Sequence, residues 1–355
     1  MDEQQSPPEW RVMGETVPGA SHLRAGTPNQ DAILQVRESG RGLPVVVSAS
    51  DGHGSDKCFR SDRGSRYAVR CAARLVGEFL DESRGSAPDH AELEGKAKEY
   101  LPREFVRRWR EAAEADLKAR PFTAAELEAV EKKDGPRALR LLAGNPLLAY
   151  GATSLTVAVG EAFALYLQLG DGEILNVSAR GEVERALPED ERLFANETTS
   201  LCTADAENDF RVRLRTFDGE PPALILLSTD GYVNSFSDTA GFLKVGSDLL
   251  EMLRADGFDS INASLKGWLE EATRSGSGDD CTLGLVCRMD ALNKTDEQPS
   301  AEGEKTTEAT PVVSVEETST ATTDAAVAST QPQETEGLTQ AVEQARTTGS
   351  EEQGA

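Results

Sequence analysis

Residues 45–54 read VVVSASDGHG, and how this stretch is read decides the fold and the site. A run of small and β-branched apolar residues suits a strand, and it stops at Asp51-Gly52. Asp-Gly is also the strongest short hairpin signal, because both residues tolerate positive φ. The choice is between a simple turn and a strand that delivers a carboxylate to a site. The apolar run is continuous rather than alternating, which indicates a strand covered on both faces. A carboxylate ending such a strand must be paired, hydrogen-bonded or metal-bound, because an isolated buried charge is too costly.

The arrangement recurs. ALILLST (223–229) ends at Asp230-Gly231, and ALYLQLG (164–170) ends at Asp171-Gly172. Asp31 precedes AILQV (32–36), and Asp279-Asp280 precede CTLGLVCRM (281–289). Asp171 alone fits a tight hairpin as well as a site. Asp134-Gly135, Asp218-Gly219 and Asp256-Gly257 stand in polar loops and read as turns. No Lys or Arg stands immediately beside Asp51 or Asp230. Converging carboxylates without basic partners raise one another's energy unless a cation sits among them. An oxygen-only set points to hard cations, Mg²⁺ or Mn²⁺. Gly52 permits close backbone approach, so its carbonyl qualifies as a further ligand.

Other strand-like runs are LPVVVSAS (43–50), TSLTVAV (153–159) and EILNVSA (173–179). Helical spacing of Val69, Ala72, Ala73, Val76, Phe79 and Leu80 predicts a helix over 63–82. Phe105, Trp109, Ala112, Ala113 and Leu117 predict another over 103–118. A third runs from TAAELEAVEK (123–132) toward RALRLLAG (137–144), and a fourth covers 259–275 with Asp259 as its cap. Two groups of strands with helices between them predict an α+β domain over 1–290. Its core is two stacked, mainly antiparallel sheets with helices outside, and a helical segment spans about 61–148.

From 291 to 355 the chain changes character, as in TTEATPVVSVEETSTATTDAAVASTQPQETEG (306–337). Rich in Thr and Glu, it is expected to be disordered, because it cannot bury enough apolar surface to offset its ordering entropy. Residues 290–355 carry 14 acidic and three basic residues, a net of −11 out of −25. The rest keeps −14, which excludes a nucleic-acid footprint. Five cysteines without a C-x-x-C pair argue against a disulfide framework or a structural zinc site. No apolar run reaches spanning length and no leader is read, so the chain is expected to be cytoplasmic, away from membranes, and monomeric.

The ordered series NQD (29–31), DGHG (51–54), GATSLTVAV (151–159), LGDGEIL (169–175), LLSTDG (226–231) and GDDCTLGLV (278–286) resembles the metal-dependent protein phosphatases of the PPM family, type 2C. The resemblance covers about Gly14 to Arg288. SHLRAGTPNQD (21–31) is similar to the bacterial branch. It implies a β-sandwich flanked by helices and hydrolysis of phosphoserine and phosphothreonine in proteins with two Mg²⁺ or Mn²⁺ ions. The implied partners are phosphorylated proteins, including a Ser/Thr kinase or its targets. Carried over, Asp51 bridges both ions and the Gly52 carbonyl joins one. Asp230 and Asp279 complete the other, and Asp31 ligates directly or through water. Asp171 lies near a third, weaker position used by some members. His53 becomes the general acid for the departing alkoxide. Outside this context, a His after Gly in a loop reads as a surface residue.

The chain also departs from the pattern. Gln30 stands where many relatives have Glu, and Gly26 where many have a phosphate-binding Arg; Arg24 and His22 are the nearby substitutes. Asn234 replaces a carboxylate, and Asp280 replaces an Asn, which makes Asp279 the preferred ligand. The alternative is a pseudophosphatase that binds phosphoproteins or a kinase without turnover. Retention of Asp51, His53, Asp230 and Asp279 favours the enzyme. Substrate choice is assigned to residues 56–150 and 200–210, which carry no readable code.

Overall fold

The continuous apolar runs become central strands, and the strand ends gather the aspartates. The structure, a computed structural model, describes residues 9–37, 43–83, 90–189 and 199–292. From residue 293 on, the tail expected to be disordered lies outside these residues. The strands are β1 (Trp10–Val17), β2 (Ala32–Arg37), β3 (Val45–Ser50), β4 (Ser154–Val159), β5 (Phe163–Leu169), β6 (Glu173–Val177), β7 (Val183–Arg185), β8 (Arg211–Thr216), β9 (Leu224–Ser228) and β10 (Cys281–Arg288). The helices are α1 (Ala20–Ala25), α2 (Ser61–Ser83), α3 (His90–Ala119), α4 (Ala124–Gly144), α5 (Asp230–Val233), α6 (Thr239–Asp256), α7 (Phe258–Ser275) and α8 (Met289–Leu292). None of them is long and apolar enough to cross a membrane.

Two five-stranded antiparallel sheets form, in the orders β1-β10-β9-β6-β7 and β2-β3-β4-β5-β8. Val47, Val157, Tyr166, Ile225 and Val286 fill the space between the sheets. Helices α2 to α4 cover the second sheet through residues such as Phe79, Trp109 and Leu142. Helices α6 and α7 cover the first through Phe242, Leu249 and Leu265. Because helices lie on both outer faces, β3, β4 and β9 are buried along their whole length. Each fully buried Val or Leu contributes about 1.5–3 kcal/mol to this assembly.

Three local expectations change. The Gly170-Asp171-Gly172 turn does not close a hairpin: β5 pairs with β4 and β8, while β6 pairs with β7 and β9. The turn carries the chain from one sheet to the other. Helix α7 begins after Gly257, and Asp259 accepts from Arg11 Nη2 at 2.7 Å instead of capping the helix. Asp134-Gly135 is no loop between elements. It marks a break within α4, where Gly135 has φ 74°, and Asp134 accepts from the Lys57 amide at 3.1 Å.

Register brings the aspartates together. Ala32 pairs with Ser50, so Asp31 and Asp51 leave adjacent strands side by side. Ser228 pairs with both Leu283 and Glu173, so Asp230, the Asp171 turn and the 279–280 pair meet at one end of the other sheet.

Candidate metal centre

Asp51 follows β3 directly. Its amide donates to Thr153 Oγ1 at 3.0 Å, and its carbonyl accepts from the Thr153 amide at 2.8 Å. These backbone bonds fix the residue and leave its carboxylate for the cleft. Burial pushes that carboxyl well above the usual range, and Asp31, Asp230, Asp171 and Asp279 push it further. The next residue must be glycine: a Cβ on Gly52 would stand 2.5 Å from the Gln30 carbonyl oxygen and 2.8 Å from that of Ser61.

Asp31 is 4% exposed. Thr229 Oγ1 and Thr282 Oγ1 both donate to its Oδ2 at 2.7 Å. Burial, aided by Asp280 and Asp230 and opposed by the two hydroxyls, pushes its carboxyl up to about 8. Asp230 opens α5, and its Oδ2 accepts from Asn234 Nδ2 at 3.1 Å. Burial and the neighbouring Asp171 and Asp279 push it up to about 7. Asn234 thus holds a carboxylate where the sequence suggested a lost ligand.

The 279–280 pair divides its work. Asp279 is exposed toward solvent, whereas Asp280 is buried. Asp280 accepts from the Gly19 amide at 2.6 Å and the Gln30 amide at 2.7 Å, and lies 2.9 Å from His22 Nδ1. That leaves Asp279 as the member of the pair able to face an ion. His22 Nε2 is 3.5 Å from Asp279 Oδ1, so this histidine is turned onto two carboxylates. One of its ring nitrogens and one carboxylate oxygen each of Asp279 and Asp280 lie within 4.8 Å of one another. Arg24 lies exposed in the last turn of α1, with no hydrogen bond or ion pair among the described residues.

Gln30 is a strut in this setting. Its Nε2 donates to Ser61 Oγ at 2.6 Å and to the His53 carbonyl at 3.3 Å. Its Oε1 is buried without a partner among the described residues. His53 is anchored through its amide to the Gly151 carbonyl at 3.1 Å, and a Cβ on Gly151 would stand 2.6 Å from its ring. Burial lowers the imidazole pKa; Asp171 opposes this and Lys57 adds to it.

The donor chemistry fits hard divalent cations. Asp31, Asp51 and Asp230 all have raised carboxyls, and among the described residues no lysine or arginine forms an ion pair with them. An ion would supply that relief, and oxygen ligands suit Mg²⁺ or Mn²⁺. The register joins all five cleft aspartates foreseen from sequence. The roles of Thr153, Thr229, Thr282 and Asp280 were not foreseen. Their only local signal is adjacency to the strand-end aspartates.

The sequence profile described as Protein phosphatase 2C matches residues 18–270. No curated protein matches. Among solved structures, the catalytic domain of the serine/threonine protein phosphatase PstP with two manganese ions is 15% identical. The match covers 79% of this chain and 98% of that one, with a TM-score of 0.44. The serine/threonine phosphatase Stp1 from Staphylococcus aureus is 13% identical over 81% of this chain and 99% of its own, with a TM-score of 0.46. PppA, a regulatory component of T6SS in Pseudomonas aeruginosa, is 17% identical over 78% and 97%, with a TM-score of 0.46.

Proposed function

The chain belongs to the protein phosphatase 2C family and is a protein phosphatase, and on that premise we propose that it hydrolyses phosphoserine and phosphothreonine with two bound Mg²⁺ or Mn²⁺ ions. The observation that carries the reading is the gathering of Asp31, Asp51 and Asp230 at one cleft, with raised carboxyls and no ion pair to a lysine or arginine among the described residues. Asp51, the Gly52 carbonyl, Asp230 and Asp279 hold the ions. Asp31, oriented by Thr229 and Thr282, supports them from behind or ligates directly. Asp171 serves a third, weaker position. When bound, such ions supply an acidified, oriented water for in-line attack and neutralise charge on the phosphoryl oxygens.

His53 stands two residues from Asp51 and gives a proton to the departing serine or threonine oxygen. Its lowered pKa makes it the stronger acid once protonated, and Asp171 helps to keep that proton. The substrates are phosphorylated proteins, among them a Ser/Thr kinase or its targets. Asp51, His53, Asp230 and Asp279 are all retained, which favours turnover over phosphoprotein binding alone.

Hydrolysis of p-nitrophenyl phosphate and a phosphothreonine peptide, measured in EDTA, Mg²⁺ and Mn²⁺, tests this. Activity should need the metal and fall about 10³-fold in Asp230→Asn. Activity in Mn²⁺ no greater than that of the variant sinks the reading.

A further inference from the structure

Edge strands β7 and β8, one from each sheet, are stitched together by arginine. Arg213 Nη1 donates to the Ala186 carbonyl at 3.0 Å, and Arg215 pairs with Glu184. A groove opens along this seam. One cavity of about 660 Å³ lies between the end of β7, strand β8 and helix α3. A second, of about 230 Å³, shares Arg185 and Arg211 with it and reaches the Asp171-Gly172 turn. That turn abuts the candidate metal centre: a Cβ on Gly172 would stand 2.6 Å from the carbonyl oxygen of Ser228, two residues before Asp230. We infer that this groove takes the segment of a phosphoprotein that flanks the phosphorylated residue, and that it selects acidic side chains there. The inference rests on the phosphatase reading and gives that site a substrate preference.

Charge says what the groove fits. The chain as a whole carries a net −25, yet the wall of the larger cavity sets Lys98, Arg185, Arg211 and Arg213 against Glu94 and Glu189. Both glutamates are matched inside the groove. Lys98 Nζ lies 2.9 Å from Glu94, and Arg185 Nη1 lies 2.6 Å from Glu189. Arg185 also holds Glu173, at the end nearer Asp171, at 2.9 Å. Arg211 stands where the two cavities join. Its Nη1 donates to the Pro188 carbonyl at 2.8 Å and its Nη2 to the Gly170 carbonyl at 3.2 Å. Arg213 is exposed, and it forms no ion pair among the described residues. A carbonyl orients a guanidinium without cancelling its charge, and the remaining N–H groups suit a carboxylate in a two-pronged bond. Leu187 and Val212 add apolar wall beside these charges, against which a peptide can lie.

The test uses the full chain with Mn²⁺. Kinetics are measured on phosphothreonine peptides with acidic or alanine flanks and on p-nitrophenyl phosphate, for wild type, Arg213→Ala, Arg213→Lys and, as a control, Lys266→Ala on α7. Wild type should show a KM about tenfold lower for the acidic peptide than for the alanine one, with kcat within about twofold. Arg213→Ala should raise KM for the acidic peptide about fivefold and leave KM for p-nitrophenyl phosphate in place. Arg213→Lys should restore part of the loss, and Lys266→Ala should match wild type. Equal KM for the two peptides in wild type overturns the assignment, as does an acidic preference unchanged in Arg213→Ala. So does an equal rise in KM for p-nitrophenyl phosphate, which places the effect at the metal centre itself. Wild type without metal-dependent turnover removes the phosphatase reading. Fluorescence anisotropy of the unphosphorylated acidic peptide on wild type and Arg213→Ala then still decides the groove. Tighter binding by a peptide of residues 306–337 in that assay gives the groove to the chain's own acidic tail and overturns the assignment.

Discussion

Two groups of partly or fully buried carboxylates in this protein behave in opposite ways. At the cleft, Asp31 and Asp230 are pushed up to about 8 and about 7. At the start of α4, partial burial also pushes Glu126 up, but donors from Arg60 and Thr123 more than reverse it, to about 2. Burial of Asp116 is likewise outweighed by the Tyr150 hydroxyl, Arg63 and Tyr67. Arg60 is 4% exposed and bonds both Glu126 oxygens at 2.9 and 3.0 Å. One group closes its charge balance inside the protein and so holds helices together. The other leaves its balance open and so calls for a ligand. Burial is common to both, and the presence of a built-in cation separates them.

Substitution breaks the comparison most sharply. Asp51→Asn should cost about 10³-fold or more in Mn²⁺-dependent turnover while raising the melting temperature of the metal-free protein, since it removes repulsion. Glu126→Ala should do the reverse: it strands a buried guanidinium and costs about 3–5 kcal/mol of stability, with kcat kept in the folded fraction. Denaturant unfolding alongside kinetics reads both. An Asp51→Asn protein less stable than wild type in EDTA would show that the cleft charges are compensated after all.

The pH dependence sharpens the contrast. The cleft groups have folded values above the ordinary 3.8, so the folded state carries the extra protons. Their contribution is full below about pH 4 and is lost as pH rises through about 7 and 8. Glu126 has the opposite sign: its contribution is present above 4.5 and lost as pH falls toward about 2. In EDTA the melting temperature should therefore decline from pH 5 to 8, and Mg²⁺ should flatten the decline by replacing protons. A flat profile in EDTA would mean the aspartates are ionised at no cost.

The smallest effect concerns orientation. Thr282→Val removes one of two hydroxyls from Asp31 Oδ2, and the Mn²⁺ concentration for half-maximal activity should rise about tenfold. An unchanged metal requirement would show that Thr229 alone suffices.

Much of this was legible because some signals are local. The runs before Asp51 and Asp230 read as buried strands and proved buried throughout. Strands β1, β7 and β8 escaped because they are edge strands carrying charge, as in RVRLRT (211–216). Helix α6 was also missed, although Phe242, Val245, Leu249, Leu250 and Leu253 keep helical spacing. The Asp171 turn was ambiguous because Asp-Gly suits a hairpin and a sheet crossing equally.

By itself, the sequence determined where strands stop and that aspartates stand at those stops, because alternation, apolar runs and glycine are properties of neighbours along the chain. Only the tertiary structure decided which aspartates lie near one another and which of Asp279 and Asp280 is buried. It alone joined Asp56 to the Lys133 ammonium and Asp134 to the Lys57 amide. Whether a charge is compensated depends on residues from 77 to more than 250 positions away, and no local pattern records that.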